Sequence, residues 1–328
     1  MKPSIEIGRK FTITEEYFSL TALLGGIFEE LNEIGKQEAD NMVFLVPQNE
    51  GTETDGQYSR LLRTKLDEEG FANVGVLSPF WEDILGGDET AFNTISLCLL
   101  AGDIVWHAPY KSRGKHLHTL IELIRNERLD IKQLKLVARE ISKELSGVSL
   151  AKKVLAVGEF NILFDELLNS GIFRELENKG HRVIYSPFSE AMWMMWRDYA
   201  DQNHDGNPEL AEKRLEHLKE NIKAVSNALS DQSAFAADTD ILVRIADKTL
   251  GFYSGAHGRY RQTKQLCGLP HIDSVITAAS MYENTGIVLG MLQKGFENKQ
   301  TKPALNLTFD GNENRNDKIK VESFMYYL

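Results

Sequence analysis

Apolar runs alternate with amphipathic stretches along most of this chain, and the alternation sets its expected class. In the first half, Met42-Val43-Phe44-Leu45-Val46 reads as a buried strand closed by Pro47. Between Gln57 and Glu69, the residues Tyr58, Leu61, Leu62, Lys65 and Leu66 recur at helical spacing, and Gly70 ends the helix. Val74-Gly75-Val76-Leu77 follows as a second strand, stopped at Ser78-Pro79. Residues from about 90 to 146 carry only helical periodicity, in three or four segments.

The second half has the cleaner pattern. Val154-Leu155-Ala156-Val157 forms a strand ending at Gly158, and a helix is expected from about Asn161 to Asn178. Gly180 terminates that helix, and Val183-Ile184-Tyr185 makes the next strand before Pro187. A long helical region covers about 189–267. Ser274-Val275-Ile276-Thr277 and Leu305-Asn306-Leu307-Thr308 supply two more strands, separated by a helix near 284–297. The expected fold class is α/β with two Rossmann-like lobes, the second a doubly wound four-stranded parallel sheet, and a large helical content. The boundary falls near 147–152. It separates an N-terminal α/β lobe (1–148, helical in its second half) from a C-terminal Rossmann-like or flavodoxin-like lobe (149–328) with a helical insertion at about 189–267.

Composition narrows the classes. The chain of 328 residues has room for two ordinary domains, and its 42% hydrophobic and 26% charged content is that of a soluble globular protein. A net charge of −11 argues against a phosphate-backbone partner. An anionic cofactor such as a CoA thioester stays compatible, because a local arginine pocket can sit on an acidic protein. No apolar run approaches the roughly 18 residues that span a bilayer, and the first residues lack an apolar signal core. The two cysteines, Cys98 and Cys267, cannot build a disulfide framework. The expectation is a cytoplasmic protein with neither nucleic acid nor membrane as partner.

In a doubly wound sheet, ligands collect beyond the carboxyl ends of the strands. Those ends are Gly158-Glu159-Phe160-Asn161, Ser186-Pro187, Ala278 through Asn284, and Phe309-Asp310-Gly311. They carry Glu159, Asn161, Tyr282, Glu283, Asn284 and Asp310 toward one edge. Helix caps and turns account for such residues equally well; convergence at one edge is what marks a candidate site.

Three further stretches look like metal-cluster motifs whose cysteine has been replaced. They are Gly8-Arg9-Lys10-Phe11 leading to Glu16-Tyr17, Gly51-Thr52-Glu53 leading to Gly56-Gln57-Tyr58, and Ala279-Ser280-Met281-Tyr282-Glu283-Asn284. Through them the chain resembles the 2-hydroxyacyl-CoA dehydratase D-component family, related to benzoyl-CoA reductase subunits, and within it the activase-related proteins. The family's opening motif runs Gly-Arg-Lys-Phe, then Glu-Cys-x-Pro; here Tyr17 stands at the cysteine and Ser19 at the proline. Its second motif, Gly-Pro-Cys-x-x-Gly-Gln-Tyr, keeps Gly51, Gly56, Gln57 and Tyr58 but has Thr52 and Glu53 for Pro-Cys. Its third, Pro-Phe-x-Cys-Met-Pro, aligns Tyr282 with the cysteine. Val157-Gly158-Glu159 and Phe309-Asp310-Gly311 also look like family strand ends. The likeness runs nearly the whole chain and thins between about 189 and 270.

The resemblance implies a fold without its redox group. In the family the cysteines hold an iron–sulfur cluster that handles one energised electron for a CoA thioester, and such a cluster requires thiolates. Phenolate and carboxylate at Tyr17, Glu53 and Tyr282 are harder, poor substitutes. Cys98 lies in an apolar helical run where cysteine serves as core filler, and Cys267 sits in an unrelated segment. No cofactor is therefore expected. The resemblance implies a cluster-less, non-redox companion or pseudo-enzyme that pairs with a cluster-bearing paralogous subunit or an activase ATPase. No P-loop occurs here, so the chain is not that ATPase. The alternative is a non-redox enzyme in which Glu53, Glu159, Glu283 and Asp310 supply acid and base, with Tyr17 and Tyr282 as donors. A third reading is a CoA-type binding module, with Gln57, Tyr58, Asn161, Asn284, Arg259 and Arg261 as ligand contacts. Whether the chain is an enzyme stays open, with the balance toward not.

Other constellations carry less. Asp201, Asn203, Asp205 and Glu212 fit calcium-loop spacing, but Pro208 occupies a position that wants an extended apolar residue. Asn207-Pro208-Glu209 reads better as a helix start, so calcium is not expected. His116 and His118 fall on different helical faces. Gly255-Ala256-His257-Gly258-Arg259-Tyr260-Arg261 is a basic patch able to hold phosphate at a helix start, or simply a solvated helix entry. Met192-Trp193-Met194-Met195-Trp196 reads as core or as a protein contact.

Overall fold

The computed structural model describes residues 3–13, 17–48, 54–147, 152–202, 207–231, 233–236, 238–250, 257–297, 302–312 and 315–328. Helices α1 (Pro3–Gly8), α2 (Phe18–Ile34) and α3 (Lys36–Ala39) precede strand β1 (Val43–Leu45), and α4 (Tyr58–Glu68) leads to β2 (Gly75–Leu77). Helices α1 and α2 meet at two glycines. A Cβ on Gly8 would stand 1.9 Å from the Thr21 carbonyl oxygen, and one on Gly25 would stand 1.8 Å from that of Ser4. Gly8 of the opening motif thus has a packing role, since only glycine allows this approach.

Strands β1 and β2 pair in parallel, from Val43 with Gly75 to Leu45 with Leu77. Together with α2 and α4 they close a small core that includes Leu24, Phe28, Leu62 and Phe71. The first strand was expected to be buried, and here the structure corrects the sequence reading. Val43 and Leu45 are 65% and 63% exposed, because a two-stranded sheet with one layer of helices leaves its other face open.

The stretch expected to be helical holds α5 (Trp81–Gly86), α6 (Glu89–His107), α7 (Tyr110–Arg125) and α8 (Ile131–Ser146). Their apolar residues do not join the small core. Phe92, Leu100, Ile104, Leu134 and Ile141 share the main core with Val154, Ala156, Trp193 and Leu218. That core therefore spans the expected boundary region, of which residues 148–151 lie outside the described residues.

The second half runs β3 (Lys153–Gly158), α9 (Phe160–Phe164), α10 (Ile172–Asn178), β4 (Arg182–Tyr185), α11 (Phe188–Gln202) and α12 (Pro208–Leu229). It continues with α13 (Thr239–Thr249), α14 (Gly258–Gly268), β5 (Ser274–Ser280), α15 (Asn284–Glu297), β6 (Ala304–Phe309) and α16 (Arg315–Tyr326). All four strands are parallel, in the order β4-β3-β5-β6. The molecule is an α/β protein with small parallel sheets and a large helical content.

The single helix expected over 161–178 is broken in two. Asn169 is buried, and its amide donates to the carbonyls of Ile162 and Leu163 at 2.9 and 3.3 Å, terminating α9. Its carbonyl oxygen accepts from the Gly171 N–H at 3.0 Å, and Ser170 and Gly171 take left-handed geometry with φ of 55° and 69°. The Met-Trp stripe belongs to the core. Met192, Trp193, Met194 and Trp196 are buried, and the indole N–H groups of Trp193 and Trp196 donate to the carbonyls of Leu215 and Trp81. Among the described residues no helix is long and apolar enough to cross a membrane.

Candidate functional site

The strand order turns back between β3 and β5, and at such a reversal the carboxyl ends of neighbouring strands open a crevice. A Cβ on Gly158 would stand 1.8 Å from the Ala278 carbonyl oxygen, so glycine is what lets β3 finish this close to β5. The Glu159 N–H donates to that same carbonyl at 2.9 Å and fixes the first residue beyond the strand. The start of α2 closes over the crevice. Tyr17 Oη accepts from the Asn284 N–H at 3.1 Å, and the Ser19 N–H donates to Ser280 Oγ at 3.4 Å. The result is a cleft of about 590 Å³ whose walls include Tyr17, Tyr58, Glu159, Asn161, Glu283 and Arg261. Its size falls within the range of small-molecule sites.

Two buried carboxyl groups share this cleft in different states. Glu283 is gripped by Arg261 in a bidentate pair, with distances of 2.8 and 2.7 Å. Among the described residues, no cation forms an ion pair of this kind with Glu159. Its Oε2 accepts from the Ser280 N–H at 2.8 Å. Burial pushes its pKa upward and the Glu283 charge adds to the rise, while hydrogen bonds from Ser19 and Ser280 act in the opposite direction. The outcome is a carboxyl group held above the ordinary glutamate range on the wall of an open cleft.

His257 lines the same space, edge-on to the rings of Phe160 and Phe188 at 5.1 and 6.0 Å. Burial and the neighbouring Arg261 push its pKa down to about 3, so the imidazole is neutral at physiological pH. Its Nδ1 is buried with no hydrogen-bond partner among the described residues. A buried polar atom of this kind normally has a partner, and a bound ligand would supply one. Chemically the cleft can offer a proton from Glu159, hydroxyls from Tyr17, Tyr58 and Ser19, and a neutral imidazole.

Of the residues singled out in the sequence, Tyr17, Tyr58, Glu159, Asn161, Glu283 and Arg261 meet at the cleft. Asn284 does not line the cleft but donates its N–H to Tyr17 at its wall. Tyr282 and Asp310 border a separate cavity of about 380 Å³. Tyr282 is 50% exposed, with a left-handed φ of 68°. The Asp310 carboxylate is engaged by the Asn312 N–H and side-chain amide, both at 2.8 Å, within the β6 turn. Gln57 is exposed and its Oε1 accepts from Arg60 at 3.4 Å. Glu53 lies outside the described residues.

The expected basic patch is not a solvated surface. Arg259 is buried and pairs with Asp247 at 2.6 Å and Asp198 at 3.4 Å, while Arg261 is committed to Glu283. Asp201 and Glu212 both pair with Arg197, at 3.3 and 2.8 Å, and Asn203 and Asp205 lie outside the described residues. Asn207 caps α12 by accepting from the Leu210 N–H at 3.1 Å, with Pro208 in the first turn. His116 is buried against Glu144 and His118 is exposed.

The donor set does not fit an iron–sulfur cluster. Tyr17 and Tyr282 present phenols and border different cavities. The thiols sit on α6 and α14, and burial pushes the pKa of Cys98 up and that of Cys267 to about 11. Among the described residues, no group of three or more His, Cys, Asp and Glu side chains is placed to hold a metal ion.

Sequence reasoning missed Ser19, Asp165 and His257 as cleft residues. Ser19 carried a signal, since it stands where the resembled motif has proline. His257 sat unremarked within the basic patch. No family model, curated protein or solved structure matches this chain.

Proposed function

We propose that the cleft between the start of α2 and the carboxyl edge of the four-stranded sheet is a non-redox small-molecule site, with Glu159 as its acid. In this reading the sheet is a Rossmann-like lobe of the dehydratase D-component type that has kept its crevice and lost its cluster. One observation carries it: a buried glutamic acid of raised pKa, beside an already neutralised Glu283–Arg261 pair, on the wall of an open cleft. A buried carboxyl group of raised pKa holds its proton more readily than an ordinary glutamate and can donate it to a carbonyl oxygen and take it back, which is general acid–base work. Tyr17 lines the cleft without filling it, which supports ligand entry over a plugged pseudo-site. The engagement of Arg259 and Arg261 by acidic residues weighs against a polyphosphate contact such as CoA would need there.

The test compares wild type with Glu159→Gln on p-nitrophenyl acetate, a neutral activated acyl probe. Wild type should turn the probe over slowly, with a pH profile that follows Glu159, and the rate should fall at least about tenfold in the variant. Equal rates from both proteins would overturn it.

The companion reading has its own support. Val43, Leu45 and Leu77 leave one face of the two-stranded sheet apolar and open, and Leu45 also borders the cleft. A cluster-bearing paralogous subunit or an activase ATPase seated there would cover the cleft mouth. Repeated purification of the lone chain from cells that express such a relative would count against this. Stoichiometric iron and sulfide after anaerobic purification would contradict the cluster-less assignment common to both readings.

A further inference from the structure

A second cavity, of about 390 Å³, adjoins the cleft and shares Trp81, Phe164 and Phe188 with it. Its character is different. Four aromatic rings wall it, those of Trp81, Trp106, Phe164 and Phe188, with aliphatic side chains such as Leu99 between them. The rings are held in place by one another: Trp81 meets Phe188 edge-on at 6.1 Å, and Trp106 stacks on Phe164 at 5.1 Å. The exposed Leu45 and Gly102 border it, so the cavity reaches the surface.

One charged side chain stands in this apolar wall. Asp103 of α6 is buried, and its two oxygens accept from the N–H groups of Phe188 and Ser189 at 2.7 and 2.9 Å, at the start of α11. Each oxygen has two lone pairs, so these backbone bonds, with the Ser189 hydroxyl close to the carboxylate, leave room for a further donor. Among the described residues no lysine, arginine or histidine lies within ion-pair distance of it. Buried carboxylates are normally paired with a cation. Burial, with the Glu190 charge adding to it, raises the Asp103 pKa to about 7 against the hydrogen bonds from Ser189 and Phe188.

We propose that this cavity is a binding site for an organic ammonium ion: an amine with a flat or branched apolar body. The ammonium donates to Asp103, and the aromatic rings contact the body and the charge. The acid supplies the missing counter-ion relationship, and the rings supply the cation–π faces and the apolar enclosure. Asp103 and Trp106 do not line the acid–base cleft, although Trp81, Phe164 and Phe188 border both spaces, so amine binding here does not depend on Glu159 acting as an acid.

Calorimetry and tryptophan fluorescence, with Trp81 and Trp106 as reporters, test this with three probes of one shape. They are protonated phenethylamine, neutral phenethyl alcohol and anionic 3-phenylpropionate. The amine should bind at least about tenfold more tightly than the alcohol, the difference one charge-assisted hydrogen bond makes, and the carboxylate should not bind. Asp103→Asn should bring the amine down to the alcohol's affinity while leaving the alcohol's own binding in place. Because Asp103 also caps α11, a second variant guards against misfolding. A Cβ at Gly102 meets nothing within 4 Å, so Gly102→Phe adds a ring at the cavity border without a backbone clash and should abolish uptake of both ligands. Alcohol binding as tight as the amine's would overturn the proposal. So would amine binding untouched by either variant, or no uptake of the amine by wild type.

Discussion

Arg261 holds Glu283 through two parallel hydrogen bonds, Nη1 to Oε2 at 2.8 Å and Nη2 to Oε1 at 2.7 Å, with both side chains at 5% exposure or less. This pair fixes the charge pattern of the cleft. It gives one carboxylate a cation, while Glu159 beside it carries a raised pKa to which the Glu283 charge contributes. Arg261→Met should destabilise the fold by about 3–5 kcal/mol, because Glu283 is left buried without its cation. Adding Glu283→Leu should recover most of that loss. Urea unfolding of the two variants checks the cycle; a single variant as stable as wild type would show the pair carries no such role.

The Gly8–Gly25 contact makes a second prediction. Gly25→Ala forces a methyl group into the Ser4 carbonyl, and neither backbone can yield without shifting α1 from α2. The expected cost is about 1–3 kcal/mol, as for other overpacked sites. Amide exchange should then accelerate in α1 first. Unchanged exchange there would mean the helices do not depend on the crossing.

Acid stability follows from two buried histidines. His107 lies in the core with neither ring nitrogen partnered among the described residues, and burial, helped by Arg182, lowers its pKa. His257 falls to about 3. The folded state excludes protons that the unfolded chain binds near its ordinary value of about 6.5. Stability is therefore complete above that pH and is lost as pH falls below it toward 3. His107→Leu should flatten this decline and leave stability at pH 7 equal or higher, since an unpartnered polar side chain is exchanged for an apolar one. Thermal melts across pH 4–7 would reveal an unaltered slope if the assignment is wrong.

Tyr282 adopts a left-handed backbone conformation, with φ of 68° and half its surface exposed. A side chain there costs roughly 1–2 kcal/mol, part of which glycine would return as unfolded-state entropy. Tyr282→Gly should raise stability by about 0.5–1 kcal/mol, read from the unfolding midpoint. A clear loss would mean that the phenol makes stabilising contacts outweighing the strain.

Strand ends and glycines were the legible part of this molecule. Val154–Gly158 and the helix over 284–297 follow directly from apolar runs and turn residues, and the convergence of Glu159, Asn161 and Glu283 follows from parallel pairing. What escaped was long-range. Tyr17 meets Asn284 across 267 positions, and no periodicity encodes that contact. The Arg261–Glu283 pair turned an apparent surface patch into an interior charge pair, because the ends of α14 and β5 meet only once the sheet is assembled. The break at 165–171 escaped because it depends on one buried side chain, Asn169, capping the helix before it. Exposure of Val43 and Leu45 was equally invisible, since an apolar run does not say how many layers will cover it.

Direct titration of Glu159 tests the central claim. Isotope-edited infrared or carbon NMR, with Glu159→Gln as the assignment control, reports the pH at which this one carboxyl group ionises. The expected midpoint lies above the ordinary glutamate value of about 4.3, raised by burial and by Glu283. A midpoint at or below the ordinary value would mean that Glu159 is a plain carboxylate, and the acid–base reading of the cleft would fall with it.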